Sequence, residues 1–254
     1  MPSNHYDPVL TFSTGVSIFG ILIVLLLAFN PPIVHEDFFW RKPLVGLVFS
    51  LICMLGIFAA LFPKQCSHVF HFRRENMPFS SHRSNAASHH PDCERFSAHV
   101  IQVSTRTLCA ACTGLLLGAF VAFIGTVFYF FGESHISEVS FPIVLFGVVC
   151  VPLGFLQFKF RGFVRSILNA LFVLGAFLIL VGIDELTKSL ITDFFIMALI
   201  VFWIFTRIQI SQWDHWKICD SCKSPCEDKE MKKRQASIFG ACRSRLRRLL
   251  VFQG

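Results

Sequence analysis

Cysteine and histidine gather in two parts of this 254-residue chain, which contains ten of each. One part is the segment 63–107 with the start of the apolar run behind it, and the other is the tail after residue 210. Thiolate sulfur and neutral imidazole bind Zn²⁺ strongly when four of them converge tetrahedrally. In the first part the pattern C-x5-H-x9-C-x2-C predicts such a site, with a second histidine as an alternative ligand: Cys93, His99, Cys109, Cys112 and, as the alternative, His90.

The tail provides a second candidate metal group. Its cysteines follow the pattern C-x2-C-x3-C, and a cysteine and a histidine early in the 63–107 segment could complete the set: Cys219, Cys222, Cys226, Cys66 and His68. Cys53 and Cys150 lie inside apolar runs instead, where a thiol behaves as a small hydrophobic side chain. An iron–sulfur cluster is a weaker alternative, because no fourth cysteine has a familiar spacing.

Cys109 and Cys112 also allow a different chemistry. They stand where a helix is expected to begin, and the exposed N–H groups and dipole of a helix N-terminus stabilise a thiolate. Such a pair could exchange disulfides with a partner, which is the enzyme hypothesis for this chain. No nucleotide-binding loop, metalloprotease motif or nucleophile elbow occurs in the predicted cytoplasmic parts.

The elements that must position these residues are helices in a membrane. An α-helix needs about 20 apolar residues to cross a hydrocarbon layer of about 30 Å. Six apolar runs meet or approach that length, and they predict an all-α polytopic membrane protein with six transmembrane helices in a lipid bilayer. The runs are Gly15–Phe29, Pro43–Phe62, Leu108–Phe131, Phe141–Phe158, Phe163–Ile183 and Leu190–Ile210.

The distribution of charge predicts the orientation of the six spans. All but three of the 23 lysine and arginine residues fall in segments that would share one side with both termini; the exceptions are Arg41, Lys42 and Lys188. Cationic loops are retained in the cytoplasm. We therefore expect a cell-membrane protein with both termini cytoplasmic. Cytoplasmic thiols are generally kept reduced, so metal binding ranks above disulfide chemistry.

The spans themselves are nearly free of ionisable residues. Asn169 is the one strongly polar residue well inside a predicted span. Ion-coupled transporters usually carry charged groups within the membrane. Transport of a small solute or a metal is therefore the third hypothesis, and a polar cavity around Asn169 would favour it.

A stripe of small residues runs along the third span at every fourth position. Such a stripe permits close approach of a second helix, either within the chain or, as an alternative, in a homo-oligomer through this helix. The stripe comprises Ala110, Gly114, Gly118, Ala122 and Thr126.

The tail ends in a segment whose apolar and arginine residues alternate at helical spacing, between Ile238 and Leu250. A basic amphipathic helix of this kind binds anionic lipid headgroups. Nucleic acid is a less favoured partner, because no recognition fold accompanies the charge.

At its CxxC the chain resembles a family of predicted membrane proteins of unknown function. The hallmark of that family is an upstream Cys/His segment followed by C-x-R-C-x-G-I-Y-x-G at the start of a transmembrane helix. Cys109, Cys112, Gly114 and Gly118 match, whereas Ala111 and Leu116 replace the arginine and the tyrosine. The similarity covers about thirty residues, and it implies that the cysteines and glycines form one unit, without implying an activity.

Together these patterns divide the chain into four parts. Residues 1–62 hold the first two spans, 63–107 a cytoplasmic Cys/His-rich loop, 108–210 spans three to six, and 211–254 a cytoplasmic Cys-rich basic tail. The leading hypothesis is a non-catalytic membrane module for interaction, sensing or assembly with a zinc site on its cytoplasmic face.

Overall fold

The computed structural model describes residues 8–32, 38–61, 100–103, 106–132 and 136–221. Six long helices account for most of them, which confirms the all-α polytopic fold. They are α1 Pro8–Phe29, α2 Arg41–Leu61, α3 Ala110–Phe131, α4 Ser140–Phe155, α5 Gly162–Thr187 and α6 Leu190–Ser221. Short 3-10 turns, Ser137–Val139 and Leu156–Lys159, flank α4. All six helices are long and apolar enough to span a membrane when the turns beside α4 are included.

Consecutive helices alternate in direction. Ser17 of α1 contacts Thr206 of α6, and Gly20 of α1 faces Leu199, so these two helices run antiparallel. Gly114 of α3, in contrast, faces the start of α5, and the two helices run in the same direction. The helices α1, α3 and α5 therefore all begin at one end of the bundle and finish at the other. We call the end at which α3 begins the thiol end, and the end at which α5 finishes the acidic end.

Helix α5 lies at the centre of the bundle. Within its spanning window 61 % of the residues are buried, against 39 % or fewer in each of the other five. It packs most extensively against α4 and α3, and it also contacts α1 and α6. The outer faces of the other helices expose large apolar side chains, among them Phe12, Phe19 and Phe128. A surface of this kind suits lipid rather than water.

The small-residue stripe of α3 packs against α5. A Cβ atom placed on Gly114 would lie 2.0 Å from the carbonyl oxygen of Ser166, and one on Gly118 would lie 2.8 Å from that of Ala170. Only glycine allows the two backbones to come this close. The stripe is thus covered within the chain, and the predicted homo-oligomer, which no contact here tests, would have to use another face of α3.

Two helices extend seven or more residues beyond their predicted limits. α1 begins seven residues before the predicted Gly15. The hydroxyl groups of Ser13 and Thr14 donate to the carbonyl oxygen of Leu10, at 3.1 and 2.8 Å, so both polar groups are satisfied within the helix. α6 continues eleven residues past Ile210. The first part of the predicted tail is therefore helical.

A β-hairpin that the sequence did not predict leads into α3. Strand β1 (Val100–Val103) pairs antiparallel with β2 (Arg106–Cys109), and Val100 lies opposite Cys109. The last residue of β2 directly precedes the first residue of α3. The hairpin thus returns the chain from Val100 to the start of the third span.

Candidate thiol and charge sites at the two ends of the bundle

Cys109 and Cys112 lie together at the thiol end. Cys109 is the residue before α3 and Cys112 is in its first turn, and both side chains are half-buried. The two side chains are within hydrogen-bonding range of each other. The N-terminus of α3 adds the partial positive charge of its unpaired N–H groups. The helix N-terminus favours a thiolate, whereas the burial of the two sulfurs and their contact with each other oppose it.

A buried arginine from α6 approaches the same pair. Arg207 donates through Nε and Nη2 to Oδ1 of Asn169, at 2.9 and 2.5 Å, and through Nη2 to Oε1 of Gln157 at 3.4 Å. Its guanidinium also interacts electrostatically with both Cys109 and Cys112. We call Cys109, Cys112, Asn169 and Arg207 the thiol cluster. It joins α3, α5 and α6.

The charge of Arg207 lacks a carboxylate partner among the described residues. Its hydrogen-bond acceptors are neutral amides, and Asp214, farther along α6, pairs with a different arginine, Arg165, at 3.2 Å. A buried cation without a compensating anion is costly. A thiolate at Cys109 or Cys112 would supply the missing negative charge.

Comparison with known proteins finds no matching family model, no matching curated protein and no matching solved structure. The functional argument therefore rests on the geometry of this chain.

The structure brings together two of the predicted metal ligands, Cys109 and Cys112. Cys219 lies on α6, although its side chain is outside the described set. The remaining predicted ligands lie outside the described residues: Cys66, His68, His90, Cys93, His99, Cys222 and Cys226. Within the described ranges no group of three or more His, Cys, Asp or Glu side chains is placed to hold a metal ion.

Asn169 is buried, as its position within a span predicts, and its amide atoms bond to protein. Its Nδ2 donates to the carbonyl oxygen of Arg165 at 2.6 Å, while its Oδ1 accepts both bonds from Arg207. The predicted boundary residue Arg207 is thus inside the bundle. The amide oxygens of Asn169 and Gln157 accept hydrogen bonds from its guanidinium at this end of the sixth span.

At the acidic end, a set of buried charges joins three helices, and sequence reasoning missed it as a site. Arg41 at the start of α2 uses Nη1 to contact Oδ1 of Asp184 on α5 at 2.5 Å and Oδ2 of Asp193 on α6 at 2.6 Å. All three side chains are almost completely buried. Together with the three residues described next, they form the acidic cluster.

Tyr129, Lys42 and Glu185 complete the acidic cluster. The hydroxyl of Tyr129 on α3 is 2.7 Å from Oδ2 of Asp184 and 3.0 Å from Oε2 of Glu185. Lys42 lies 3.4 Å from the same Glu185 oxygen, and its Nζ lies over the Tyr129 ring, 4.7 Å from the centroid. The cluster therefore connects the start of α2 and the last turns of α3 and α5 with the start of α6.

One sequence signal pointed to the acidic cluster. Arg41 and Lys42 are two of the three basic residues on the predicted outer side, and the acidic residues of that side include Asp184, Glu185 and Asp193. Opposite charges on the same side of a membrane protein can pair at helix ends. Which of them pair is decided by the packing of α2 against α5 and α6, which sequence alone does not give.

Proposed function

We propose that this protein is a multi-pass protein of the cell membrane, with both termini cytoplasmic, whose thiol end holds a zinc–thiolate centre. The ligands in this proposal are Cys93, His99, Cys109 and Cys112, with His90 as the alternative to His99. The centre joins the 63–107 segment to the bundle. The protein then acts as an interaction, sensing or assembly module rather than as an enzyme.

The observation that carries this proposal is the register of the hairpin. Val100, which directly follows His99 in the sequence, lies opposite Cys109, and residues opposite each other in an antiparallel pair have Cα atoms about 4.5–5.5 Å apart. Cys109 and Cys112 are also in hydrogen-bonding range of each other. Two sulfurs of a tetrahedral site, each about 2.3 Å from the zinc ion, need a similarly close approach.

The charge of Arg207 supports the same ligand set. Three thiolates, a neutral imidazole and Zn²⁺ together carry one negative charge. Arg207 is buried beside two of the three sulfurs, and it would make the whole assembly neutral. Asn169 fixes the guanidinium from α5, so that the centre would be connected to the core of the bundle.

Zinc analysis of the full-length purified protein tests the proposal. We expect the zinc content of Cys112→Ala and of His99→Ala to fall by about one ion per chain relative to the unsubstituted protein. Cys150→Ala is the matched control, because Cys150 is a buried thiol inside α4, and its zinc content should not change. Equal zinc in all four proteins would contradict the proposed centre.

Thiol–disulfide exchange is the second candidate, and the proximity of the Cys109 and Cys112 thiols favours it directly. In this reaction one thiolate attacks a disulfide of a partner protein, and the partner's leaving sulfur departs as a thiolate. The second thiol then attacks the mixed disulfide and forms a Cys109–Cys112 disulfide. The partner is thereby reduced by two electrons. The two protons of the original thiols go to solvent or to the partner's thiolates. Arg207 would stabilise the attacking thiolate.

Thiol trapping in cells distinguishes the two candidates. Rapid alkylation of free thiols should find Cys109 and Cys112 reduced if they bind zinc. It should find a Cys109–Cys112 disulfide in a substantial fraction of the chains if they exchange electrons. Cys150→Ala again serves as the control, since its loss should leave either pattern unchanged.

A further inference from the structure

The acidic cluster has more negative than positive formal charges. Two cations, Arg41 and Lys42, face three carboxyl groups on Asp184, Glu185 and Asp193. The remaining titratable member, Tyr129, is a neutral donor. The helices α1 and α4 contribute no titratable side chain at this end, and Lys188 in the link between α5 and α6 is half-buried. If every carboxyl group were ionised, the six-residue cluster would carry a net charge of −1.

The two aspartates at its centre are close neighbours. Their oxygens Oδ1 and Oδ2 contact the same nitrogen, Nη1 of Arg41, at 2.5 and 2.6 Å, so they are at most about 5 Å apart, a separation at which like charges disfavour each other's ionisation. The two carboxyl groups are within hydrogen-bonding range of each other. Two carboxylates cannot hydrogen-bond, because neither has a hydrogen to donate; a carboxylic acid and a carboxylate can.

A second observation points to a ligand. Asp193 is completely buried, yet its Oδ1 atom has no hydrogen-bond partner among the residues that the structure describes. An unpaired, buried carboxylate oxygen is costly. A proton on Asp193 removes the negative charge from this unpaired oxygen and the repulsion from Asp184. The six-residue cluster is then neutral.

Tyr129 supports the same assignment. Its hydroxyl has a single hydrogen, but it lies in hydrogen-bonding distance of two carboxyl groups, those of Asp184 and Glu185. It can donate to only one of them at a time. The carboxyl groups of the cluster therefore have more acceptor atoms than the donors of Tyr129, Arg41 and Lys42 satisfy, and one added proton reduces that imbalance.

We propose that Asp184 and Asp193 together form a proton-binding site at the acidic end, sharing one proton beneath Arg41. The proton exchanges with the solution on that side of the membrane. When the proton leaves, the repulsion between the two carboxylates destabilises the packing of α2, α5 and α6 at this end. The stability of this end of the bundle then depends on pH, independently of any chemistry at the thiol end.

Infrared difference spectroscopy of the full-length protein in lipid vesicles tests this site. Between mildly acidic and alkaline buffer we expect the carbonyl band of a neutral carboxylic acid to disappear in the unsubstituted protein. Asp193→Asn should lack that change, because its amide has the shape of the protonated acid and cannot ionise. Glu138→Gln is the control, since Glu138 is exposed beside α4 at the same end, and it should show the same loss of the band as the unsubstituted protein.

The dependence of the melting temperature on pH gives a second readout. It does not require the asparagine side chain to reproduce every property of the protonated acid. Raising the pH removes the shared proton, so the melting temperature of the unsubstituted protein should fall in alkaline buffer, whereas that of Asp193→Asn or Asp184→Asn should fall much less. If Asp193→Asn loses the carboxylic acid band with rising pH as the unsubstituted protein does, the proposal is overturned. So does a spectral change that follows the sodium concentration at fixed pH, because a metal cation would then be the ligand.

Discussion

Arg41 and Lys42 are consecutive residues at the start of α2, yet their surroundings differ. The Arg41 side chain is 5 % exposed and pairs with two fully buried aspartates, whereas that of Lys42 is 30 % exposed and lies 3.4 Å from one glutamate oxygen. Removal of one partner from a buried ion pair leaves an uncompensated charge, which costs far more than loss of a partly exposed pair. The two residues therefore form a matched comparison.

We predict that Arg41→Leu lowers the free energy of unfolding by about 3–5 kcal/mol, and that Lys42→Leu lowers it by about 1 kcal/mol or less. Equilibrium unfolding of the purified protein in detergent micelles measures both. Equal losses in the two variants would contradict the buried pairing of Arg41 with Asp184 and Asp193.

The residue types of both clusters could be read from the sequence, but their pairings could not. Hydropathy assigns Arg41 and Asp184 to the ends of spans, and they are separated by 143 residues in the chain. Their contact depends on how α2 packs against α5. In the same way, Arg207 reads as a boundary residue of the sixth span, and only the position of Asn169 on α5 explains why it is buried.

Among the helices, α3 carries the small-residue stripe that predicted close contact with a second helix, and in the structure that helix is α5. Every fourth residue of α3 is small, and that face lies against α5, with Gly114 nearest the backbone of Ser166. Gly56 of α2, in contrast, has open space around the position of a Cβ atom. The same substitution at these two glycines should have opposite effects.

We predict that Gly114→Ala destabilises the protein by about 1–3 kcal/mol, because the added methyl group forces two backbones apart. Gly56→Ala should be neutral or stabilise it by up to about 1 kcal/mol, since alanine favours a helix more than glycine does. Thermal unfolding in detergent compares the two. A loss of stability at Gly56 as large as that at Gly114 would show that the effect is not due to the contact with α5.

Element boundaries were less predictable than the number of spans. Apolar length alone gives six helices, but it does not register hydroxyl groups that bond to their own helix, so the first span was predicted to begin at Gly15 instead of Pro8. The hairpin before α3 has strands of only four residues. Strands this short show too little alternation of apolar and polar residues to be recognised in the sequence. The hairpin nevertheless matters for the site, because it places Val100 opposite Cys109.

In the whole molecule, the two clusters lie at opposite ends of the same bundle. The thiol cluster involves the start of α3 and α5, and the acidic cluster involves the finish of both helices. On α5, Asn169 and Asp184 are 15 residues apart, which corresponds to about 22 Å of helix, or most of one hydrocarbon layer of about 30 Å. Each cluster therefore lies towards its own face of the membrane, and the orientation of the chain decides which one is nearer the cytoplasm.

Two exposed residues in short turns allow the orientation to be measured. Glu138 precedes α4 at the acidic end, and Arg161 precedes α5 at the thiol end. Because cationic segments are retained in the cytoplasm, we predict that a membrane-impermeant thiol reagent labels Glu138→Cys on intact cells and labels Arg161→Cys only after permeabilisation. The unsubstituted protein gives the background from native cysteines. The reverse pattern would put Cys109 and Cys112 on the outer side, where thiols are readily oxidised, and disulfide exchange would then become the better explanation of the thiol cluster than zinc.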